Sequence, residues 1–419
     1  MKKNIFLWAL YDFGNTFLTA AITGLYLAQW VIIDNKFDDI WYGATFTLAT
    51  ILLLLTSPFW GTWSDKLGKR MPFLSVATIF FIVFGILLGL MANSPLPVFP
   101  KVIIVLVIFF IIQYAYQISL IFLDVLLHQI STPKTIGKIS GIGDAFSELS
   151  WIVGPAILLP FATGAITLFG SPGRSQVFLP AAILTALFIL PMLLWFKEPK
   201  LKMEEKTDFE SVYVNTISGL RYLIRNDRNV LLYLISFMLI ADAILTAELY
   251  FGVFFDQVYK ISDTQKVIVL ALMQVVAIPA ALILGRLSDK IGVKKIMLLA
   301  SIDLLLGFLF ISLASDINQL YAIAALLGVG FGGFFVTGRA LLIKISPMEK
   351  LGEYFGFYGT FQRFASIIGP MTWGAVTFFL KDYGDVRYRV AGISMAALMF
   401  IGTVLLTKVK EQQTIPNSL

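Results

Sequence analysis

The chain holds no cysteine and one histidine, His128, in 419 residues. A disulfide framework, a thiolate metal site and a cysteine nucleophile are therefore excluded. A zinc site or a Ser-His hydrolase would also lack its ligands or base. No glycine-rich phosphate loop of the G-x-x-x-x-G-K-[ST] kind occurs, so ATP-driven work within this chain has no support. Charge is scarce as well. Charged residues make up 14% and apolar residues 58%, a balance foreign to a water-soluble domain. No metal, cofactor or nucleic-acid partner is expected.

What is present is a succession of apolar runs long enough to cross a bilayer. Twelve spans are expected, near 5–33, 40–63, 71–92, 101–128, 138–168, 176–197, 229–257, 264–287, 294–314, 318–344, 353–380 and 386–408. Helices are the default, because backbone facing lipid must satisfy its own hydrogen bonds. The start MKKNIF imitates a secretory signal, but the run behind it is too long, carries Asp12 and lacks a small-residue cleavage site. It reads as an uncleaved first span. One connection is long and polar. It divides the chain into a six-helix bundle over 1–197, a cytoplasmic linker over 198–228, a second six-helix bundle over 229–410 and a tail over 411–419. Within the linker Phe209, Tyr213, Ile217, Leu220 and Ile224 form one helical stripe. This predicts an amphipathic helix on the membrane surface, with Arg221, Arg225 and Arg228 towards anionic lipid. With the N-terminus inside, 22 of the 32 Lys and Arg fall on the cytoplasmic side and 8 outside. That asymmetry places both termini in the cytoplasm, in a cytoplasmic (inner) membrane.

The two halves repeat. Gly61-Thr-Trp-Ser-Asp65-Lys66-Leu-Gly68-Lys69-Arg70 follows span 2, and Gly285-Arg-Leu-Ser-Asp289-Lys290-Ile-Gly292 follows span 8. GKISGIGDAFSELSWIVGP (137–155) aligns without gaps on GEYFGFYGTFQRFASIIGP (352–370), at an offset of 215. Two six-span halves in parallel repeat make a transporter architecture with a site near the midplane. The loop after span 2 resembles the signature loop of the major facilitator superfamily. Within that superfamily, WALYDFGNTFLTA, GKISGIG, GRALLIKISP and EYFGFYGTFQRFASIIGP resemble the vacuole-effluxer-like family, relatives of the autophagy-related vacuolar permease. Glu148, in AFSELSWIVG, departs from that family's small-aromatic-glycine run. The resemblance implies twelve helices in two pseudo-symmetric bundles, the major facilitator fold. It also implies amino acids or similar small zwitterions as substrate, with efflux as the direction.

Charges inside a bilayer are costly and need a reason. Asp12 leads a stripe of Asn15, Thr16, Thr19, Thr23 and Tyr26 along span 1, expected to face a central cavity. Asp242 lies at a comparable place in span 7, followed by Thr246 and Glu248. Each acid either binds substrate or relays a proton, or is a structural acid bonded to a neighbouring Thr, Tyr or helix end. Gln113 and Gln117 on span 4 are candidate substrate contacts, with Asp124 and His128 further along the same face. The 215 offset pairs Asp124 with Arg339 and Glu148 with Arg363. Glu148 and Arg363 each lie 11 residues past equivalent glycines, about 16 Å of helical rise. They could form a pair that opens and closes, or Arg363 could hold a substrate carboxylate. Substrate binding is thus assigned to Asp12, Asn15, Thr19, Gln113, Gln117, Asp242 and Arg363, and proton coupling to Asp12, Glu148 and Asp242. Gating falls to Asp65, Lys66, Arg70, Asp124, Asp289 and Arg339, with Asp124 on a signature-loop base and Arg339 on Asp289. Gly61, Gly68, Gly285 and Gly292 are expected at tight turns and close approaches. The glycines at 137, 141, 154, 352, 356 and 369 are expected as packing and flexing points, and Pro155 and Pro370 as kinks. Altogether the sequence predicts a monomeric, non-enzymatic secondary transporter of a small molecule, surrounded by membrane lipids and driven by protons, another ion or the substrate's own gradient. The alternative is a receptor or lipid-handling scaffold that keeps the fold without transporting.

Overall fold

The computed structural model describes residues 2–132, 135–199, 209–347 and 350–411, without the side chains of residues 65, 136–137 and 209–217. Among the described residues all regular structure is helical. The first half contains α1 (Lys2–Asp34), α2 (Asp39–Leu67), α3 (Met71–Ala92), α4 (Val98–Ile130), α5 (Ile136–Ala162) and α6 (Phe178–Trp195). The linker forms α7 (Phe209–Asn226). The second half contains α8 (Arg228–Phe254), α9 (Asp263–Ile291), α10 (Val293–Leu313), α11 (Ile317–Ile345), α12 (Leu351–Phe364), α13 (Ile368–Phe379) and α14 (Val386–Lys408). Eleven of the described helices are long and apolar enough to cross a membrane. The twelfth span is α12 and α13 together, two short helices separated at residues 365–367. The architecture is thus the expected all-α, twelve-span bundle.

Two boundaries differ from the sequence pattern for a visible reason. Span 5 ends at Ala162, where Gly164 takes φ +79°. The apolar residues beyond it form a loop whose Leu168 N–H donates to the buried Gln176 Oε1 at 3.0 Å. A buried glutamine there does the work of a helix. The prolines also differ: α5 runs unbroken through Pro155 and Pro160, whereas the second half breaks just before Gly369-Pro370. Pro370 sits in the first turn of α13, where a missing N–H costs nothing.

The chain divides into two compact units. The first comprises residues 1–213 and also takes in 248–256 and 260–267. The second comprises 214–247, 257–259 and 268–419. In the first unit α1 packs on α5 and α6, α3 on α4 and α6, and α2 on α4. In the second unit α10 packs on α11 and α14, and α13 on α14. The last turns of α7 pack on α12, with the Lys350 ammonium 3.1 Å from the centre of the Tyr222 ring. Phe209, Tyr213 and Ile217 of the amphipathic stripe, and tail residues 412–419, lie outside the described side chains.

An acid after the last span of each half closes the third span of that half. Glu198 accepts from the backbone N–H of Arg70 at 2.5 Å and Met71 at 3.1 Å. Glu411 accepts from those of Val293 and Lys294, each at 3.3 Å. Helix N-termini leave N–H groups orphaned and attract negative charge. The internal repeat therefore extends to these two glutamates.

The glycines sort themselves. Gly68 and Gly292 hold positive φ, 61° and 107°, in the turns of the two signature loops, as expected. Gly154 lies against Phe17 and Gly369 against Asp242 and Thr246. Gly141, Gly352 and Gly356 are a correction: a Cβ there would meet nothing within 4 Å, so they are not close-packing points. Gly61 is equally open. The tight approach in the second unit is at Gly328 and Gly332 of α11, whose added Cβ atoms would strike the α9 carbonyls of Met273 and Ala277. This G-x-x-x-G spacing brings two backbones together. Gly332→Ile should destabilise the detergent-solubilised protein by about 1–3 kcal/mol, the usual cost of overpacking. Gly356→Ala should leave it unchanged. Fluorescence-detected thermal unfolding checks both, and equal midpoints for the two variants would contradict the packing described.

Candidate functional site

In the first unit the candidate site grows from α1. Among the eleven described helices long and apolar enough to cross a membrane, its core window is the most buried, at 89%. It is α-helical to Leu18, then winds as π-helix over Thr19–Tyr26 and again over Trp30–Asp34. Such turns are rare and often accompany functional sites. The stripe predicted along α1 splits in two. Asn15, Thr23 and Tyr26 are buried in helix packing. Asn15 Nδ2 donates to Ser119 Oγ at 3.3 Å, and Tyr26 OH donates to the Pro155 carbonyl at 3.2 Å. The Thr19 hydroxyl donates to the Asn15 carbonyl of its own helix at 3.1 Å. Asn15 and Tyr26 thus join α1 to other helices rather than line open space, a correction to the cavity-facing stripe, while Thr19 stays half-buried on its own helix.

Asp12 is different. It is half-buried, and α5 comes close to it because Gly143 has no side chain. A Cβ at Gly143 would enter the Trp8 ring and lie 3.4 Å from Asp12 Oδ2. Trp8 is fixed by its Nε1–H donating to the Leu123 carbonyl at 2.9 Å. One turn on, Thr16 and Ser147 share a hydrogen bond of 3.0 Å, and Ser150 Oγ donates to the Phe13 carbonyl at 2.8 Å. Asp124, Asp144 and Glu148 all lie within electrostatic range of Asp12, and Glu248 lies within range of Glu148. Five acids thus share one region of the first unit. One of them, Asp144, was not singled out from the sequence. Asp144 stands four residues before Glu148, so helical spacing alone put both on one face. Glu248, noted in the sequence beside Asp242, falls with Asp12 instead because the fold assigns that end of α8 to the first unit.

Asp242 does not join this group; it belongs to the second unit. It is fully buried, and its Oδ2 accepts from the Gly369 N–H at 2.8 Å. The acid therefore caps α13, which is the structural alternative raised by the sequence. Its Oδ1 and the Thr246 hydroxyl are buried with no hydrogen-bond partner among the described residues. Arg363 sits half-buried in the last turn of α12, just before the same helix break.

The other sequence candidates take varied places. Gln113 is buried, and Gln117 Nε2 donates to Thr50 Oγ1 at 3.1 Å. Lys66, Arg70 and Asp124 are each engaged within the structure. The Asp65 side chain lies outside the described residues. Asp289 and Arg339 are both exposed, and no ion pair joins them among the described residues, contrary to expectation. Both side chains are exposed, so water competes for such a pair.

One charged network was not anticipated at all. Arg174 bonds Asp34 at 2.6 Å, Asp256 at 3.0 Å and Asp263 at 3.0 Å. Lys266, wholly buried, bonds Asp256 at 2.8 Å, Asp263 at 2.9 Å and Gln29 Oε1 at 2.5 Å. Three carboxylates and two cations thus tie residues 248–256 and 260–267 into the first unit. In the sequence these charges stand at span ends and look like solvated loop residues. A neighbouring bond runs from Tyr250 OH to the Asp39 carbonyl at 3.1 Å.

The family model described as Major Facilitator Superfamily matches residues 9–262 and 251–418. An uncharacterized MFS-type transporter, YxiO of Bacillus subtilis, is 23% identical, over 97% of this chain and 94% of its own length. The multidrug resistance protein MdtG of Salmonella choleraesuis is 26% identical, over 84% of this chain and 82% of its own. Among solved structures, the nucleoside transporter NupG superposes with a TM-score of 0.77 at 14% identity, covering 97% of this chain and all of that one.

Removing one member of a buried ion network leaves the others uncompensated, at about 3–5 kcal/mol. Lys266→Met should therefore lower the thermal midpoint sharply, and an unchanged midpoint would count against a structural role for the network. Asp242→Ala should cost about 0.5–2 kcal/mol as a lost cap, while Asp242→Asn, also a good cap, should keep the stability. Comparing their melting curves separates capping from any role that needs the charge.

Proposed function

The chain belongs to the major facilitator superfamily, and from that premise we propose that it exports a small amine-bearing metabolite, an amino acid or similar zwitterion, by alternating access coupled to protons. The single observation behind this reading is the group of acids around Asp12 in the first unit. Acids in a membrane core are held there for a purpose. A carboxylate group of this size attracts an ammonium ion, and it can also carry a proton that the substrate displaces. Asp12 is the substrate acid, Glu148 and Glu248 are the coupling acids, and Arg363 holds a carboxylate in the second unit. Thr19 shapes the site from α1, and Gln113 and Gln117 shape it from α4. Asp242 keeps α13 in place and reserves its second oxygen for a proton or a ligand.

Gating belongs to the signature turns. Asp65, Lys66, Arg70 and Asp124 close the cytoplasmic side in the first half, and Asp289 and Arg339 serve the second. The matched stretches GKISGIG and EYFGFYGTFQRFASIIGP support placing the chain beside the vacuole-effluxer-like family. The basic bias of one side supports a cytoplasmic membrane with both termini inside. The protein works as a monomer. The transporters among its relatives do not favour a non-transporting scaffold. A second reading has a specific observation in its favour: the same acids suit a larger organic cation, the kind of cargo the multidrug-resistance name of one relative suggests.

A ligand that binds only the folded state raises apparent stability. Thermal shift against panels of amino acids and of lipophilic organic cations, at two pH values, separates the two readings. The proposed reading expects an amino-acid hit that Asp12→Asn abolishes. A hit confined to the organic cations would transfer the site to the second reading. In proteoliposomes Glu148→Gln should remove the dependence of flux on a pH gradient. Flux with unchanged pH dependence in that variant would refute the coupling role.

A further inference from the structure

An apolar cavity of about 430 Å³ opens among α2, α3 and α4 of the first unit. Its wall is aromatic and rigid. Trp60 and Trp63 stack at 5.7 Å, Trp63 meets Phe73 edge-on at 5.3 Å, and Phe73 stacks on Phe122 at 5.3 Å. Two of the polar groups on its wall, the Trp60 indole N–H and the Tyr114 hydroxyl, are already used. Trp60 Nε1–H donates to Tyr114 OH at 3.0 Å, and Tyr114 OH shares a hydrogen bond of 2.8 Å with Thr56. A polar solute entering there would lose its hydrogen bonds with water and gain none. A hydrocarbon chain would lose nothing.

The cavity opens at Trp63, Leu67, Val76 and Phe80, all exposed. Val76 and Phe80 belong to the run Val76, Phe80, Val83, Leu87 and Leu90, one exposed face of α3 at helical spacing. In a membrane span such a face meets lipid. The cavity also lies against the end of its helices. α2 stops at Leu67, Gly68 turns the chain, and α3 starts at Met71. Lys66 and Lys69 are exposed at this turn. One end of the cavity thus lies at the level where headgroups begin, beside two cations.

We propose that this cavity is a lipid site: it takes one acyl chain of an anionic phospholipid, whose phosphate is met by Lys66 and Lys69 at the signature turn. The pairing of an apolar slot with basic residues at its interfacial end matches the two parts of such a lipid. An occupied slot would also brace the turn against the bilayer.

The test is native mass spectrometry of the full chain, released from nanodiscs holding equal amounts of phosphatidylglycerol and phosphatidylcholine with matched acyl chains. The wild type should keep one phosphatidylglycerol, favoured about fivefold or more over the zwitterion, as expected from at least one lysine near a phosphate. Val76→Trp, which fills the mouth from an exposed position, should lose the retained lipid. Leu187→Trp, an equally exposed position on α6, should keep it. Lys66→Gln combined with Lys69→Gln should keep a lipid but lose the preference. Equal retention of the two lipids by the wild type overturns the proposal, as does unchanged retention in Val76→Trp.

Discussion

A bilayer interior neither donates nor accepts a hydrogen bond, so every polar group carried into it must be answered by the chain itself. Much of this structure follows from that constraint. Side chains of one helix repeatedly donate to carbonyls of another: Tyr42 to Thr23 at 2.9 Å, Tyr233 to Gly338 at 2.5 Å, and Ser236 to Gly402 at 2.7 Å. Each bond satisfies a buried hydroxyl and fixes the register of two helices. Lys266 is the extreme case, an ammonium with no exposure and three oxygen partners. Its carboxylate partners are shared with Arg174, so the network stands or falls as a unit.

The same constraint explains why two halves of similar sequence diverge in structure. Both carry a Gly-Pro step, at 154–155 and at 369–370. In the first half α5 passes through it as a continuous helix, with Gly154 against the backbone of Phe17. In the second half the helix breaks, which frees N–H groups at the start of α13. The carboxylate of Asp242 is in place to accept one of them. A break of this kind within a span is tolerated only where something buried accepts the freed donor. The caps made by Glu198 and Glu411 show the opposite behaviour, an identical solution kept in both halves.

Function concentrates where the polar groups exceed what packing needs. Asn15, Thr16 and Tyr26 of the α1 stripe join helices, whereas around Asp12 five acids share one region. Holding them together costs free energy that a bound cation or proton would return. The apolar cavity beside the signature turn is the complement of that site. Trp60 and Tyr114 on its wall are paired, and what it offers is surface for hydrocarbon.

The sequence by itself determined the class of the molecule. Apolar runs of bilayer length, the 215-residue repeat and the basic bias of one side carry the spans, the two halves and the signature turns, because lipid solvation acts on composition and period. It also marked Asp12 in α1 as an acid that needs a reason, functional or structural. Tertiary structure decided which polar residues share a neighbourhood. Asn15 and Tyr26 look like cavity residues by spacing, yet they face neighbouring helices. Asp242 matches Asp12 by position, yet it caps a broken helix, and Glu248 joins the acids instead. Arg174 and Lys266 read as ordinary loop charges until Asp34, Asp256 and Asp263 converge on them. Helical period fixes the face a residue occupies, but the rotation of each helix and the partner it meets are set by packing across hundreds of residues, and no local pattern records them.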